Sequence, residues 1–251
     1  MKFFRVKIFF ISVSLLLYFP AVGLAEGKLV TAINFWPPFR IASPDAKYGV
    51  TGIDIDILQG LEKHLNMPIE IKQAPWARII VMIKNGDIDL ISSVAYTDKR
   101  NEFILYVPTA YHTVAPVFYT QKGRGKHVQT YEDLYKFTIG YLRGSVYFEA
   151  FDSDTKLLKY DVTSEAQLVN MLAMGRLDII IGSNPHLTLE IKKNNVKDKV
   201  MQTQYIPEKS TDIYFGLSRK HNNTILQGKI DTYLNQIISN GELNRILEKY
   251  K

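Results

Sequence analysis

The chain has 251 residues, a formal net charge of +6 and no cysteine. Hydrophobic residues make up 46% of it and charged residues 22%, which excludes a disordered or collagen-like chain and predicts one large globular domain or two small ones. The lack of cysteine excludes disulfides, thiol catalysis and cysteine-bound zinc. The positive charge makes nucleic acid the first class of partner to weigh.

The first 25 residues predict a cleaved signal peptide. Three cations precede a mostly apolar run over residues 8–19, and Gly23 and Ala25 put small side chains where signal peptidase requires them. The apolar run is too short for a transmembrane helix, which needs roughly 20 residues. No cysteine follows it to carry a lipid anchor. The mature chain, 26–251, is therefore expected to be free in the periplasm.

Removal of this segment changes the charge argument. Lys+Arg falls from 31 to 28 against 25 Asp+Glu, so the mature chain carries only +3. The densest basic stretch, residues 121–127, contains two glycines and is predicted to be an exposed loop. We therefore expect no nucleic-acid partner. Nothing later in the chain reads as a membrane-spanning segment.

The first half of the mature chain alternates strands with helices. A helix is predicted to open at 51–54, with Asp54 capping its first turn and its apolar residues on one face. The prolines of 34–39 predict a loop. This alternation predicts an α/β fold with largely parallel strand pairing. The predicted strands are 28–33, 69–72 and 88–92, and a second helix is predicted to start at Pro75.

An internal echo indicates two similar lobes. Residues 79–91 can be laid over residues 168–180, and in both segments a helix ends at a glycine before an apolar strand begins. The offset is too long for a solenoid repeat. The matched positions include Gly86 with Gly175 and Asp89 with Asp178.

The second half continues the pattern and supplies the connections. Segments 117–120 and 213–218 are predicted to cross between the lobes, which lets the lobes hinge around a cleft suited to a small molecule. Arg143–Ser145 is predicted to be a turn before a helix that starts at Val146. Further predicted strands are 138–142, 178–181 and 213–218, and further predicted helices are 164–174, 223–240 and 242–250.

Several segments together resemble a known family: TGIDIDILQGLEKHLN, PWARIIVMIKNGDIDLI, TDKRNEFILYVPTAY, YLRGSVYFEAF and GRLDIII. In order and spacing they are similar to the periplasmic solute-binding proteins of the polar amino acid type, the family 3 receptors of ABC importers. The resemblance implies a two-lobed, type II Venus-flytrap fold with two hinge crossings. It assigns 26–117 plus 213–251 to lobe 1 and 118–212 to lobe 2.

The resemblance also implies a function. The chain would be a monomeric receptor that captures a small polar, carboxylate-bearing ligand, an amino acid or a relative, between its lobes. It would then deliver the ligand to an inner-membrane ABC permease, with no enzymatic activity, cofactor or metal. Two alternatives share the fold: a periplasmic dehydratase-like enzyme and a ligand-sensing subunit of a signalling system.

The resemblance assigns ligand roles to residues of the first lobe. Arg100 would grip the ligand carboxylate, since a guanidinium binds a carboxylate through two parallel hydrogen bonds. Trp36 and Trp76 would sandwich the ligand body, although either tryptophan could equally be a packing residue. Ser93 and Ala95 would line the pocket with hydroxyl and backbone groups.

The second lobe is expected to contribute Arg143, Gly144 and Ser145, whose backbone N–H groups would form an anion seat at a helix N-terminus. Ser183 stands where the family's amino acid receptors carry an aspartate that pairs with the ligand's ammonium group. Asp212 or Glu149 could substitute for that aspartate, and a ligand with a carboxylate and no amine fits equally well.

Two further groups of residues receive no predicted role. Arg78 could point at the cleft, but the exposed face of its helix is the favoured position. The five histidines show no metal-ligand spacing, so no metal site is predicted.

Overall fold

The computed structural model describes residues 27–124 and 127–251, so the predicted signal peptide, 1–25, lies outside the described residues. Strands come from both halves of the mature chain. They are β1 (Leu29–Ile33), β2 (Ile41–Ala42), β3 (Val50–Thr51), β4 (Ile69–Gln73), β5 (Leu90–Ala95), β6 (Ile104–Tyr106), β7 (His112–Gln121), β8 (Thr138–Leu142), β9 (Leu158–Val162), β10 (Ile179–Asn184), β11 (Val200–Gln202) and β12 (Thr211–Ser218).

Helices alternate with these strands, and a short 3₁₀ helix covers Glu132–Lys136. In the part of the chain that the structure describes, no helix combines the length and the apolar character that a membrane crossing requires. The α-helices are α1 (Ile53–Leu65), α2 (Trp76–Asn85), α3 (Asp98–Asn101), α4 (Glu149–Ser153), α5 (Glu165–Ala173), α6 (His186–Lys193), α7 (Thr224–Ser239) and α8 (Glu242–Lys249).

The main sheet is mixed, which corrects the prediction of largely parallel pairing. Its strand order is β4-β1-β5-β12-β7-β10-β8-β9, with β6 beside β12 and β11 beside β7. Strands reached through a helix pair in parallel: β1 with β4 and β5, and β8 with β9 and β10. The strands β7 and β12 run antiparallel to all their partners. Antiparallel partners need no helical crossover, and a helix-strand alternation does not reveal them.

The strands that contain the two predicted crossing segments are neighbours, but they meet in a short ladder that precedes 117–120 and includes only the first residue of 213–218. Strands β7 and β12 pair with each other from His112 to Val114 and from Thr211 to Ile213. Beyond that short ladder, β7 continues along β10 while β12 continues along β5. The middle of the sheet therefore consists of the two strands that pass from one part of the protein to the other.

The hydrophobic core is divided in the same way. Two clusters of buried residues draw on 29–114 and 213–243, with Leu142 as the one member from elsewhere. Two other clusters contain only residues between 117 and 200. This division is what a two-lobed fold requires, because each lobe must bury its own apolar surface.

The internal echo has a structural basis. Helix α2 ends at Gly86 (φ +83°) and helix α5 is followed by Gly175 (φ +70°), both in the left-handed conformation that favours glycine. The Asp89 carboxylate accepts a hydrogen bond of 2.8 Å from a backbone N–H of β1, and the Asp178 carboxylate accepts one of 2.9 Å from β8. Each aspartate thus ties a helix-to-strand turn to the neighbouring parallel strand.

The start of α1 corrects the prediction that Asp54 caps this helix. The N-cap residue is Gly52. The first two N–H groups of the helix donate to carbonyls of the preceding loop: Ile53 N to Pro38 O (3.2 Å) and Asp54 N to Phe39 O (3.0 Å). Because the backbone of the preceding loop caps the helix, the Asp54 side chain is free to turn inward. It is fully buried.

We predict that Gly52→Ala lowers the free energy of unfolding by about 2–5 kcal/mol, since Gly52 has φ +128° and an added Cβ would lie 2.3 Å from the Phe39 carbonyl oxygen. Gly49→Ala is the matched control. That glycine also has positive φ (+68°) but no atom within 4 Å of the added Cβ, so about 1–2 kcal/mol is expected. Urea unfolding measures both, and equal losses would contradict the steric argument.

Candidate functional site

A cavity of about 70 Å³ lies between segments of both core divisions. Its first wall includes residues of loop 34–40, β5 and α3. Its second wall includes residues of the 143–147 segment, β10 and α6. A wider pocket of about 410 Å³ adjoins it. Five residues line both spaces: Asn34, Trp76, Leu142, Glu165 and His186.

The structure brings seven of the nine predicted ligand residues to this cavity: Trp36, Trp76, Ser93, Ala95, Arg100, Ser145 and Ser183. Two are not part of its lining. Arg143 is exposed and forms an ion pair with Asp161. The other is Gly144, whose carbonyl oxygen accepts hydrogen bonds from the Trp76 and Arg100 side chains of the first wall. Arg78 is exposed on α2 and does not reach the lining, as predicted.

Arg100 is a buried cation held by neutral groups. The short helix α3 begins after Thr97, whose hydroxyl accepts a hydrogen bond from the Arg100 backbone N–H (3.1 Å). The guanidinium donates to the carbonyls of Ala95 (2.9 Å) and Gly144 (2.8 Å), and the side chain is 6% exposed. Among the described residues no carboxylate lies within ion-pair distance of it. A guanidinium in this state is a ready partner for an anion that enters the cavity.

Burial lowers the pKa of Arg100 from its ordinary value, and the negative charge of Asp152 acts against that shift. Burial likewise raises the pKa of Asp152, while the backbone N–H of Tyr147 stabilises its charged form. Because an arginine guanidinium is not deprotonated in proteins, Arg100 stays charged at neutral pH despite this lowered pKa. The charge needed to hold a carboxylate is therefore present.

Trp76 joins the two walls of the cavity. Its indole Nε1–H donates to the Gly144 carbonyl (3.0 Å), the same oxygen that Arg100 binds. Gly144 has φ +79°, and an added Cβ would lie 3.2 Å from the Cα of Ala77. The Trp76 ring is 8% exposed and belongs to a hydrophobic cluster. Trp76 thus packs in the core and also lines the cavity.

Trp36 is held in a stack of side chains. Its ring lies 4.5 Å from the Phe39 ring at an interplanar angle of 19°, and the Arg40 guanidinium carbon lies 5.2 Å from the Trp36 centroid. The His186 ring approaches from the other wall at 5.9 Å. Because Trp36 is partly buried and lines the cavity, it offers a fixed apolar surface to a ligand.

A buried polar network lies behind the first wall, and sequence reasoning missed it. Asp54 Oδ2 accepts hydrogen bonds of 2.7 Å from Arg40, Ser92 and Ser93, and Asp54 Oδ1 accepts one of 2.7 Å from the Tyr111 hydroxyl. Burial, followed by the charge of Asp54, raises the pKa of Tyr111 well above its ordinary value, so this hydroxyl remains a donor. Ser93 has φ +54° and its side chain is oriented by this network.

We predict that Asp54→Asn lowers the free energy of unfolding by about 3–5 kcal/mol, because it leaves the buried Arg40 guanidinium without its counter-charge. Asp56→Asn is the control on the same helix. Asp56 pairs with Lys249, whose side chain is 60% exposed, so the expected loss is at most about 1 kcal/mol. Urea unfolding of both variants measures the difference, and a small loss for Asp54→Asn would refute the counter-charge role.

The second wall corrects the predicted anion seat. Residues after Ser145 remain irregular and α4 starts only at Glu149, so no helix N-terminus points at the cavity from this turn. The Ser145 N–H donates to the Leu142 carbonyl (3.0 Å) instead. The Thr211 hydroxyl donates to the Tyr147 carbonyl (2.6 Å), which anchors the irregular segment to a crossing strand. Phe148 precedes α4 in extended conformation, which delays the helix start.

The cavity residues that were not foreseen from the sequence include Glu165, the first residue of α5, and His186, the first residue of α6. The predicted substitutes for the missing aspartate, Asp212 and Glu149, are both exposed and outside the cavity lining. The neutral Ser183 was the signal that could have prompted a search for another acid. Within the described residues, no three histidine or acidic side chains converge as metal ligands would.

Comparison with known proteins supports this architecture. The family model described as "Bacterial extracellular solute-binding proteins, family 3" matches residues 29–251. A probable histidine-binding protein of Neisseria gonorrhoeae is 27% identical over 92% of this chain and 85% of its own length. An arginine-binding periplasmic protein of Mannheimia haemolytica is 26% identical over 94% of this chain and 96% of its own.

A solved structure is similar over nearly the same range. The amino acid ABC transporter substrate-binding protein AbpA of Streptococcus pneumoniae, bound to L-arginine, superposes with a TM-score of 0.77 at 22% sequence identity. The match covers 90% of this chain and 94% of that chain. At this identity the likeness establishes the fold, which is that of a type II periplasmic binding protein.

Proposed function

The chain belongs to the bacterial extracellular solute-binding proteins, family 3, and we propose that it captures an amino acid or a close relative in the cavity between its two walls. The family match confirms the prediction of a solute-binding protein and goes against the dehydratase-like alternative. The observation that carries the ligand class is Arg100, a buried guanidinium that lines the cavity, donates to two carbonyl oxygens and has no ion-pair partner among the described residues. A carboxylate is the ligand group that best complements it.

The other walls of the cavity supply shape and hydrogen bonds. Trp36 and Trp76 would present ring surfaces to the ligand body, while Ser93, Ala95 and Ser145, which line the same cavity as Arg100, would offer hydroxyl and backbone groups. Gly144 serves through its carbonyl, which already binds Trp76 and Arg100. Arg143 stays at the surface with Asp161 and has no ligand role in this proposal.

Two lobes, 26–117 plus 213–251 and 118–212, would open and close around this ligand. The division of the hydrophobic clusters and the pairing of β7 with β12 support a hinge in the crossing strands. The Gly144 carbonyl, which accepts hydrogen bonds from both Trp76 and Arg100, would be one of the contacts made on closure. The closed monomer would then present its ligand to an inner-membrane ABC permease.

We predict that Arg100→Gln weakens ligand binding at least about 30-fold, since loss of one partner of a buried, hydrogen-bonded charge pair costs about 2 kcal/mol or more. Arg100→Lys keeps the charge but loses the two parallel donors of the guanidinium. Its affinity should therefore lie between those of the unaltered protein and Arg100→Gln. Isothermal titration with the twenty amino acids identifies the ligand of the unaltered protein and then measures both variants.

Arg78→Gln is the matched control for Arg100→Gln, because Arg78 is exposed and outside the cavity lining. Its affinity should equal that of the unaltered protein. The thermal midpoint of each unliganded variant establishes that it is folded. Equal affinity in the folded Arg100→Gln protein would overturn the carboxylate assignment, and absence of any amino acid ligand would overturn the proposed function.

Export to the periplasm is the second part of the proposal, in line with the extracellular character of the family. When the full chain is expressed in a Gram-negative host, we predict that the protein released by osmotic shock begins at Glu26. Ala25→Leu places a bulky side chain just before the cut and should leave the precursor uncleaved. Intact-mass measurement distinguishes the two forms, and a mature protein that still begins at Met1 would count against this prediction.

A further inference from the structure

We propose that Glu165 and His186 form a binding site for a protonated nitrogen of the ligand, which makes the ligand a carboxylate that also carries an ammonium or guanidinium group. This inference rests on the proposed function and narrows its ligand class. The residues alone had left a ligand with no amine equally acceptable, because Ser183 is neutral. Both Glu165 and His186 line the cavity that Arg100 also lines.

Glu165 is placed to act as an anion. It is the first residue of α5, where the dipole of the helix favours negative charge, and Ser164 caps the helix by accepting a hydrogen bond from the Gln167 N–H. The Glu165 side chain is 15% exposed and lines both the inner cavity and the wider pocket. Its one ion-pair contact among the described residues is with His186, at 3.4 Å from Oε1 to Nε2.

His186 supplies the second observation, an unpartnered buried atom at the same place. Its ring is 3% exposed, and its Nδ1 lies 3.1 Å from the Pro37 carbonyl oxygen. A carbonyl can only accept, so Nδ1 carries a proton, and in the neutral form of imidazole the other nitrogen, Nε2, is then a lone-pair acceptor. Within the part of the chain that the structure describes, Nε2 is the one buried side-chain polar atom without a hydrogen-bond partner.

Two acceptors that lie side by side call for a donor with at least two N–H groups. An unpaired buried acceptor is costly because it has lost its hydrogen bond to water, and a carboxylate with little exposure gains from a nearby cation. A primary ammonium or a guanidinium can donate one N–H to His186 Nε2 and another to a Glu165 oxygen. A hydroxyl has a single proton and cannot satisfy both acceptors, and a second carboxylate would be repelled.

The remaining charges of the cavity agree with this assignment. Arg40 also lines it, but Asp54 neutralises Arg40 at 2.7 Å. Arg100, which has no ion-pair partner among the described residues, and Glu165 then face the cavity with opposite charges. A zwitterionic ligand matches both, whereas a simple organic acid leaves Glu165 and His186 unsatisfied. Because Glu165 and His186 also line the wider pocket, their site can receive either an α-ammonium or a side-chain cation.

The test compares Glu165→Gln with Glu149→Gln by isothermal titration. The tightest-binding amino acid of the unaltered protein is the first probe. Its des-amino carboxylic acid is the second, and for a cationic side chain an uncharged isostere is the third (L-citrulline for L-arginine, L-norleucine for L-lysine). We expect Glu165→Gln to weaken the amino acid at least about 30-fold, by the cost of breaking a buried charge pair. Glu149 is exposed and outside the cavity lining, so Glu149→Gln should bind within twofold of the unaltered protein.

The analogues identify the nitrogen. If Glu165 binds the α-ammonium, the des-amino acid binds weakly and equally to the unaltered protein and to Glu165→Gln. If Glu165 binds a side-chain cation, the uncharged isostere binds weakly and equally to the unaltered protein and to Glu165→Gln. Equal binding of the amino acid by the unaltered protein and Glu165→Gln would overturn the inference while the proposed function stands. If the unaltered protein binds no amino acid, both fail.

A rescue variant separates recognition from structural support. In Glu165→Gln combined with Ser183→Asp, a carboxylate returns to the position that the family resemblance implies for the ammonium partner. We expect this double variant to recover at least tenfold of the lost affinity for the amino acid and none for the des-amino acid. If Glu165 merely supports the fold, the thermal midpoint of unliganded Glu165→Gln falls and the second carboxylate restores no affinity, which would contradict the proposal.

Discussion

The first wall of the cavity depends on one buried carboxylate, that of Asp54. It accepts hydrogen bonds from Arg40 in the loop after β1, from Ser92 and Ser93 in β5, and from Tyr111 ahead of β7. An isolated buried charge is costly, so these segments must meet in one arrangement for the chain to fold. The cavity inherits that arrangement, because Trp36 stacks beside Arg40 and Ser93 takes its backbone conformation inside the network.

With Arg40 neutralised from behind, the electrostatics of the cavity reduce to two groups. Arg100 supplies a cation and Glu165 an anion, and they come from segments on opposite sides of the crossing strands. Arg100 also binds the Gly144 carbonyl of the other wall. A ligand carboxylate at Arg100 would share the guanidinium with this contact, so ligand capture and the approach of the two walls involve the same atoms. When one guanidinium contacts both the ligand and the opposite wall, ligand binding and closure of the walls are physically coupled.

Much of the fold could be read from local patterns. The predicted helix 223–240 agrees with α7, and the glycines after α2 and α5 indicated the ends of those helices correctly. Two predictions failed where distant backbone decided the outcome. Strands β7 and β12 pair antiparallel because the chain crosses and returns, and Asp54 does not cap α1 because the carbonyls of the 34–39 loop do so. Neither partner is adjacent in sequence, so no local pattern reports it.

The sequence by itself determined the two-part α/β plan, the family resemblance and seven of the residues that line the cavity, because those follow from periodicity and from motifs in a specific order. Tertiary structure alone decided the charge balance of the site. It removed Arg143 to the surface, paired Arg40 with a buried partner, and placed Glu165 beside the unpartnered nitrogen of His186. The physical reason is that burial and distance set the effect of a charge, and both depend on segments that meet only when the chain folds.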